Sequence, residues 1–72
     1  MLYMNTRKAK LEDVKIGTYL INPDYPHVNI RIESCNDKCF ETRSSSNFRH
    51  IGDSTHAIWE IEHYLIDTEK TA

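Results

Sequence analysis

The chain has 72 residues, of which 39% are hydrophobic and 28% are charged, with only 2 glycines and 2 prolines. This composition excludes collagen-like, low-complexity and long coiled-coil proteins and predicts one small domain over residues 1–72. A chain this short buries only about 60% of the surface that its unfolded form exposes. A metal, a cross-link or an oligomer partner could therefore supplement a thin core.

Charge is spread unevenly along the sequence. The net charge of −2 gives no overall attraction to nucleic acid or to an anionic membrane. Residues 1–15 carry +2, residues 16–52 cancel, and residues 53–72 carry −4. The acidic segment could favour a basic partner surface, although a solvated face explains the same pattern.

Apolar runs are short, such as the three residues Tyr19-Leu20-Ile21, and fall far below the ~20 that a membrane-spanning helix needs. Residues 1–4 lack the pattern of a signal peptide. Two cysteines are too few for a disulfide framework, which favours a reducing compartment. We therefore expect a cytoplasmic protein with no membrane partner.

The first half of the chain predicts an arm, a strand and a hairpin. Residues 1–14 are mixed and polar, and we interpret them as an N-terminal arm. Residues 15–21 are rich in β-branched and aromatic side chains and predict a strand that ends at a proline-bearing loop. Residues 27–34 alternate apolar and polar side chains, and residues 39–44 can return antiparallel after a turn at Asn36-Asp37.

The last segment has two interpretations. In one interpretation residues 57–66 form a strand, because Ala57, Trp59 and Ile61 alternate with Ile58, Glu60 and Glu62. In the other they form a helix, because Ile58, Ile61 and Leu65 have the spacing of one helix face. We favour the strand, with Trp59 in the core. The whole predicts a mainly β fold, either a small antiparallel SH3-like barrel or a strongly bent sheet, with a β core over 15–67, a tail over 68–72 and a short C-terminal helix as the alternative.

The opening Leu11-x-Asp13-Val14-Lys15-x-Gly17, followed by an apolar strand and a proline-bearing loop, resembles the start of small SH3-like barrel domains. The resemblance covers about the first half of the chain. It implies a binding module more often than an enzyme, and it assigns no site residue.

Cys35-x3-Cys39 and His50-x5-His56 approach the Cys2His2 zinc pattern, because two thiolates and two imidazoles suit a tetrahedral ion. The gap between the pairs is shorter than usual, and Gly52 and Asp53 separate the histidines, so one helix is not expected to carry both. A zinc-stabilised mini-domain is one alternative; the others are two free cysteines beside a turn and a Cys35–Cys39 disulfide that closes a very small loop. We assign no metal and no other cofactor.

Nothing in the sequence marks an enzyme, because there is no Gly-x-Ser-x-Gly motif and no glycine-rich phosphate loop. A chain of this size also has little room for a water-excluding pocket. Nucleic acid is an alternative ligand, since Arg31 and Arg43 could share the polar face of the hairpin and aromatic side chains could stack on bases. The acidic net charge weakens that hypothesis.

The prediction is therefore a small non-enzymatic module that binds a protein through a sheet edge or exposed loops. Tyr25 lies between two prolines and is hard to bury, and Phe48 lies in a polar segment. Unpaired edges also permit a homodimer. Short acidic chains of this kind resemble phage or mobile-element proteins that inhibit a host enzyme or defence system. The residues predicted to contact a partner are Tyr25, Arg31, Arg43, Phe48, Glu60 and Glu62.

Overall fold

The computed structural model describes residues 5–71, about half of which lie in β-strands. The mainly β prediction is confirmed. In chain order the elements are β1 (Thr6–Lys8), the 3-10 helix η1 (Leu11–Asp13), β2 (Tyr19–Ile21), β3 (Asn29–Cys35), β4 (Cys39–Ser46), β5 (Arg49–Ala57), the 3-10 helix η2 (Ile58–His63) and β6 (Leu65–Asp67).

All six strands belong to one antiparallel sheet in the order β1-β6-β2-β3-β4-β5. β2 joins its two halves, because Leu20 is opposite Ile30 of β3 on one side and Ile66 of β6 on the other. β1 and β5 are the two edges and do not pair with each other. The sheet is therefore open, which agrees with the bent-sheet alternative and not with a barrel whose edges pair.

The predicted hairpin is present as β3 and β4. Its turn is fixed by the Asn36 side chain, whose Oδ1 accepts the backbone N–H groups of Lys38 at 2.8 Å and Cys39 at 2.9 Å. The register shifts by one residue at Glu33, which is the extra residue of a β-bulge on β3. The alternation that predicted β3 is confirmed, because Ile30 and Ile32 are buried while the intervening polar side chains face water.

The core lies on one face of the sheet, where η2 covers it. Each of β2, β3, β4 and β6 contributes at least one buried apolar side chain, η2 contributes Ile61, and the segment after β1 contributes Ala9. Half-buried apolar side chains close the margin of this cluster. The buried members are Ala9, Leu20, Ile30, Ile32, Phe40, Ile61 and Ile66.

The first segment is more than an arm. β1 pairs with β6 and forms one edge of the sheet, with Arg7 opposite Ile66. The predicted strand over 15–21 shortens to β2, because the chain first turns at Gly17 with φ +96°. Such a backbone angle is favourable only for glycine, so the turn delays the start of the strand.

The last segment follows neither sequence interpretation in full. β5 ends at Ala57, where the Glu60 carboxylate accepts the Ala57 N–H at 2.9 Å and starts the helical turn of η2. Extended chain returns only at β6. Trp59 is 60% exposed, so its prediction as a core residue is wrong, and Ile61 occupies the core instead.

The predicted tail also belongs to the fold, because the Thr71 hydroxyl accepts the Tyr19 N–H at 2.9 Å. Over residues 5–71, no helix has the length and apolar character required to cross a membrane.

Candidate protein-binding surface

The turn between β4 and β5 presents an aromatic side chain to solvent. Ser46 is opposite Arg49, so Asn47 and Phe48 alone connect the strands. Both have positive φ angles, 53° and 63°, as in the type I′ turn that favours Asn followed by Gly. Asn tolerates the left-handed region, whereas a large side chain there costs about 1–2 kcal/mol. Phe48 adopts this conformation although its side chain is fully exposed.

A second exposed apolar side chain lies beside this turn. Gly52 is opposite Ser44 and His50 is opposite Ser45, so Ile51 is the extra residue of a bulge on β5. Ile51 is 57% exposed. We call Phe48 and Ile51 the hairpin tip. It consists of two exposed apolar side chains at a turn of only two residues.

Tyr25 is the other exposed aromatic that the sequence singled out. It lies in the loop between β2 and β3 and is 65% exposed. Two tight turns hold this loop, because Tyr25 N–H donates to the Asn22 carbonyl and its own carbonyl accepts from Val28 N–H. Asn29 pairs with Ser45, so this loop and the hairpin tip extend from the same end of the sheet.

Arg31 and Arg43 are brought together as the sequence suggested, directly opposite each other on the solvent face of β3 and β4. Each has its own carboxylate: Arg31 pairs with Glu33, and Arg43 Nε lies 3.7 Å from Asp53 Oδ1. The Arg31 guanidinium also lies 5.9 Å from the centre of the Tyr19 ring. Because both cations are already neutralised locally, this face offers little net attraction for phosphates.

Glu60 has a structural role that the sequence did not indicate. Its Oε2 accepts the Ala57 N–H and lies 3.3 Å from His56 Nδ1, while His56 Nε2 lies 3.4 Å from the Thr42 hydroxyl. The His56 ring stacks on Phe40 with 5.1 Å between centroids. Glu60 therefore starts η2 and orients a half-buried histidine, which leaves it little freedom to contact a partner.

This hydroxyl, imidazole and carboxylate series has the order of a proton relay, but Thr42 is only 2% exposed. A nucleophile must reach its substrate, so the series stabilises the fold where β4, β5 and η2 meet. A cleft of about 450 Å³ borders it, lined by Asn22, Pro23, Asp24, His56, Glu60, His63 and Tyr64. Burial raises the pKa of the Tyr64 hydroxyl, and the neighbouring Glu60 raises it further.

His50 is separated from the other residues of the zinc pattern, because Cys35 and His56 are both opposite Phe40. Cys39 is opposite Ala57, whereas His50 is opposite Ser45, near the other end of the same strand pair. The Cys35 thiol instead lies 3.7 Å from the Val14 carbonyl, and both cysteines are free. Over residues 5–71, no three His, Cys, Asp or Glu side chains are grouped for a metal ion.

An apolar groove between η1 and η2 was missed by the sequence analysis. Leu11 on η1 and Trp59 on η2 are each 60% exposed. Glu62, a predicted contact residue, lines the same groove. Its remaining lining residues are Lys8, Ala9, Lys10, Ile58 and Ile61. The available signals were an isolated leucine in a polar stretch and the adjacent Ile58-Trp59 pair, but no periodicity linked the two segments.

Comparison with known proteins identifies no relative: no family model, no curated protein and no solved structure matches the chain.

Proposed function

We propose that the chain is a small, non-enzymatic protein-binding module whose principal contact is the hairpin tip. The observation that carries the proposal is Phe48, a fully exposed aromatic held at φ 63°. This side chain buries nothing in the free protein, and its backbone conformation is unfavourable for a large side chain. A residue that lowers stability without a structural benefit is expected where the chain contacts something else.

The surroundings of Phe48 support a protein as the partner. A rigid aromatic on a two-residue turn loses little conformational entropy on binding, and aromatic side chains are enriched among residues that dominate protein interfaces. Ile51 extends the apolar area, and Tyr25 provides a second aromatic at the same end of the sheet. The net charge of −4 over residues 53–72 favours a partner with a basic surface.

We also propose an SH3-like relationship, an inhibitor role and a cytoplasmic location for this module. An SH3-like relationship rests on the Leu11 to Gly17 opening, and an inhibitor role rests on the resemblance to short phage or mobile-element chains. A reducing, cytoplasmic setting suits the exposed, free Cys35 thiol. We favour a different protein over a second copy as the partner, because the bulge at Ile51 interrupts the free edge of β5.

The test uses two substitutions in the same turn. Phe48→Gly and Asn47→Gly both relieve a left-handed residue, but only the first removes the aromatic ring. We expect Phe48→Gly to raise the free energy of unfolding by about 1 kcal/mol and to abolish retention of the partner by the tagged chain in host-cell extract.

Asn47→Gly should retain the partner that the wild-type chain retains. Partner retention by the more stable Phe48→Gly variant would overturn the proposal. The proposal would also be overturned if no protein were retained by both wild type and Asn47→Gly and lost from Phe48→Gly.

A further inference from the structure

The groove between η1 and η2 opens directly onto the core. Its floor is formed by Ala9 and Ile61, which are 2% and 0% exposed, so apolar surface continues from the interior to the outside. Leu11 and Trp59 are exposed and form parts of its walls. The volume is about 460 Å³, enough for a few large apolar side chains of another chain.

Both walls are held in place before anything binds. On the η1 side, Asp13 is buried and accepts hydrogen bonds from Arg7 Nη1 at 2.9 Å, Arg7 Nη2 at 2.6 Å and the Lys10 N–H at 2.8 Å. On the η2 side, Glu60 caps the first turn. The Ala9 N–H also donates to the Tyr64 carbonyl at 3.1 Å, which ties the two walls together. A preformed groove loses little entropy when it is occupied.

Charge at the groove selects the partner. Three charged side chains line it, Lys8, Lys10 and Glu62. Within residues 5–71, neither lysine has a carboxylate at ion-pair distance, since Arg7 is the cation that Asp13 holds. An occupant with carboxylates beside its apolar side chains would pair with both lysines and meet one like charge, Glu62, whereas a basic occupant would meet two like charges and one opposite charge. The groove therefore favours an acidic occupant, unlike the rest of the acidic segment over residues 53–72.

The neighbouring strand argues for a helix as the occupant. β1 has only three residues, so a strand added beside it would form few backbone hydrogen bonds. A helix instead presents bulky side chains to a groove without using its backbone. We infer that this groove binds an acidic amphipathic helix of another protein, with leucine-like side chains against Trp59 and Leu11 and carboxylates against Lys8 and Lys10. This inference rests on the proposed function for the class of partner, but it uses a surface separate from the hairpin tip.

Trp59 gives a direct measurement because it is the only tryptophan. The probes are two short synthetic helical peptides with identical leucine positions, one with Glu and the other with Lys at every polar position. The acidic peptide should shift Trp59 emission saturably and move the methyl NMR signals of Leu11, Ile58 and Ile61. It should bind at least about tenfold more tightly than the basic peptide, with the difference shrinking as salt is added.

Charge reversal supplies the matched control. The double variant Lys8→Glu/Lys10→Glu should lose the preference for the acidic peptide. Arg49→Glu/Lys70→Glu changes the net charge by the same amount at two residues that do not line the groove, and it should keep the preference. An amide NMR spectrum of each variant verifies the fold. Phe48→Gly should bind the acidic peptide as wild type does, so failure of the hairpin-tip proposal and failure of this inference are distinguishable.

Four outcomes would overturn the inference: equal binding of the two peptides, no effect of either on Trp59, an unchanged preference in Lys8→Glu/Lys10→Glu, or peptide-induced shifts confined to residues outside the groove. Two further experiments test whether something other than a helix occupies the groove. Saturable binding of dodecanoate without binding of the acidic peptide would assign the groove to a small apolar anion. A concentration-dependent dimer in sedimentation velocity that protects Trp59 from a soluble quencher would assign it to a second copy.

Discussion

The β3–β4 hairpin and β5 are neighbours in one sheet but contribute differently to it. β3 and β4 place Ile30, Ile32 and Phe40 in the core. β5 has nine residues and none of them is buried, so it is held mainly through its pairing with β4. The difference shows that the buried core and the exposed apolar side chain Ile51 belong to different strands. Substitutions in the two regions should therefore have different consequences.

The largest effect is expected from truncating the core side of the sheet. Phe40 is fully buried, and Phe40→Ala should lower the free energy of unfolding by about 3–5 kcal/mol, because it leaves a cavity in a small core. Urea unfolding followed by circular dichroism measures this. Ile51→Ala on β5 is the control and should change stability by no more than about 0.5 kcal/mol. Comparable losses in the two variants would contradict the division between the strands.

A second comparison concerns two aspartates with different partners. Asp13 is buried and accepts two hydrogen bonds from Arg7, whereas Asp53 is exposed and lies 3.7 Å from Arg43. Asp13→Asn should lower stability by about 1–3 kcal/mol at pH 7, because it removes a charged, hydrogen-bonded group from a buried site. Asp53→Asn should change stability by less than about 0.5 kcal/mol.

The effect at Asp13 should depend on pH. Its hydrogen bonds from Arg7 lower the pKa of the carboxyl below the ordinary value of 3.8, against the opposing effect of burial. Its stabilisation is fully present above the unfolded pKa and is lost as pH falls through the lower folded pKa. The stability difference between wild type and Asp13→Asn should therefore shrink below about pH 4. A difference that stays constant down to pH 2 would show that the ion pair is not its source.

The smallest effects are expected at the two glycines, with opposite signs. Gly17 has φ +96°, so Gly17→Ala should lower stability by about 1 kcal/mol. A Cβ at Gly52 on β5 would meet nothing within 4 Å, and Gly52→Ala should raise stability by about 0.4–1 kcal/mol through the unfolded chain. Thermal unfolding of both variants tests this, and a loss at Gly52 would mean that β5 is more constrained than its exposure indicates.

The central β3–β4 hairpin, whose strands have one face in water and the other on the core, was predictable from the sequence. The alternation around Ile30 and Ile32 and the Asn36-Asp37 turn fixed the central hairpin, because a period of two and a turn residue are local signals. β1 was missed since its pairing partner lies about sixty residues away in the sequence. At η2 the sequence left strand and helix open and favoured the strand, because the two patterns overlap there and the Glu60 cap that starts the helix is not a periodic feature.

Some of the candidate contact residues could likewise be predicted from the sequence, and others could not. Exposure of Tyr25 and Phe48 followed from proline and polar neighbours, which are local, and the structure confirms that exposure. The groove needs η1 and η2 to meet, and only the fold brings Leu11 and Trp59 to one place. A lone tryptophan in a small β protein is usually buried, so its position on the groove wall could not be read from the sequence.

The bulge at Ile51 has a consequence for solubility. An open sheet with a nine-residue free edge could pair with other chains and seed aggregates. The extra residue interrupts the regular row of hydrogen-bonding groups near the turn at the start of that edge. Deleting Ile51 would restore a regular strand while removing an apolar side chain. The shortened chain should therefore aggregate faster than wild type despite being less hydrophobic.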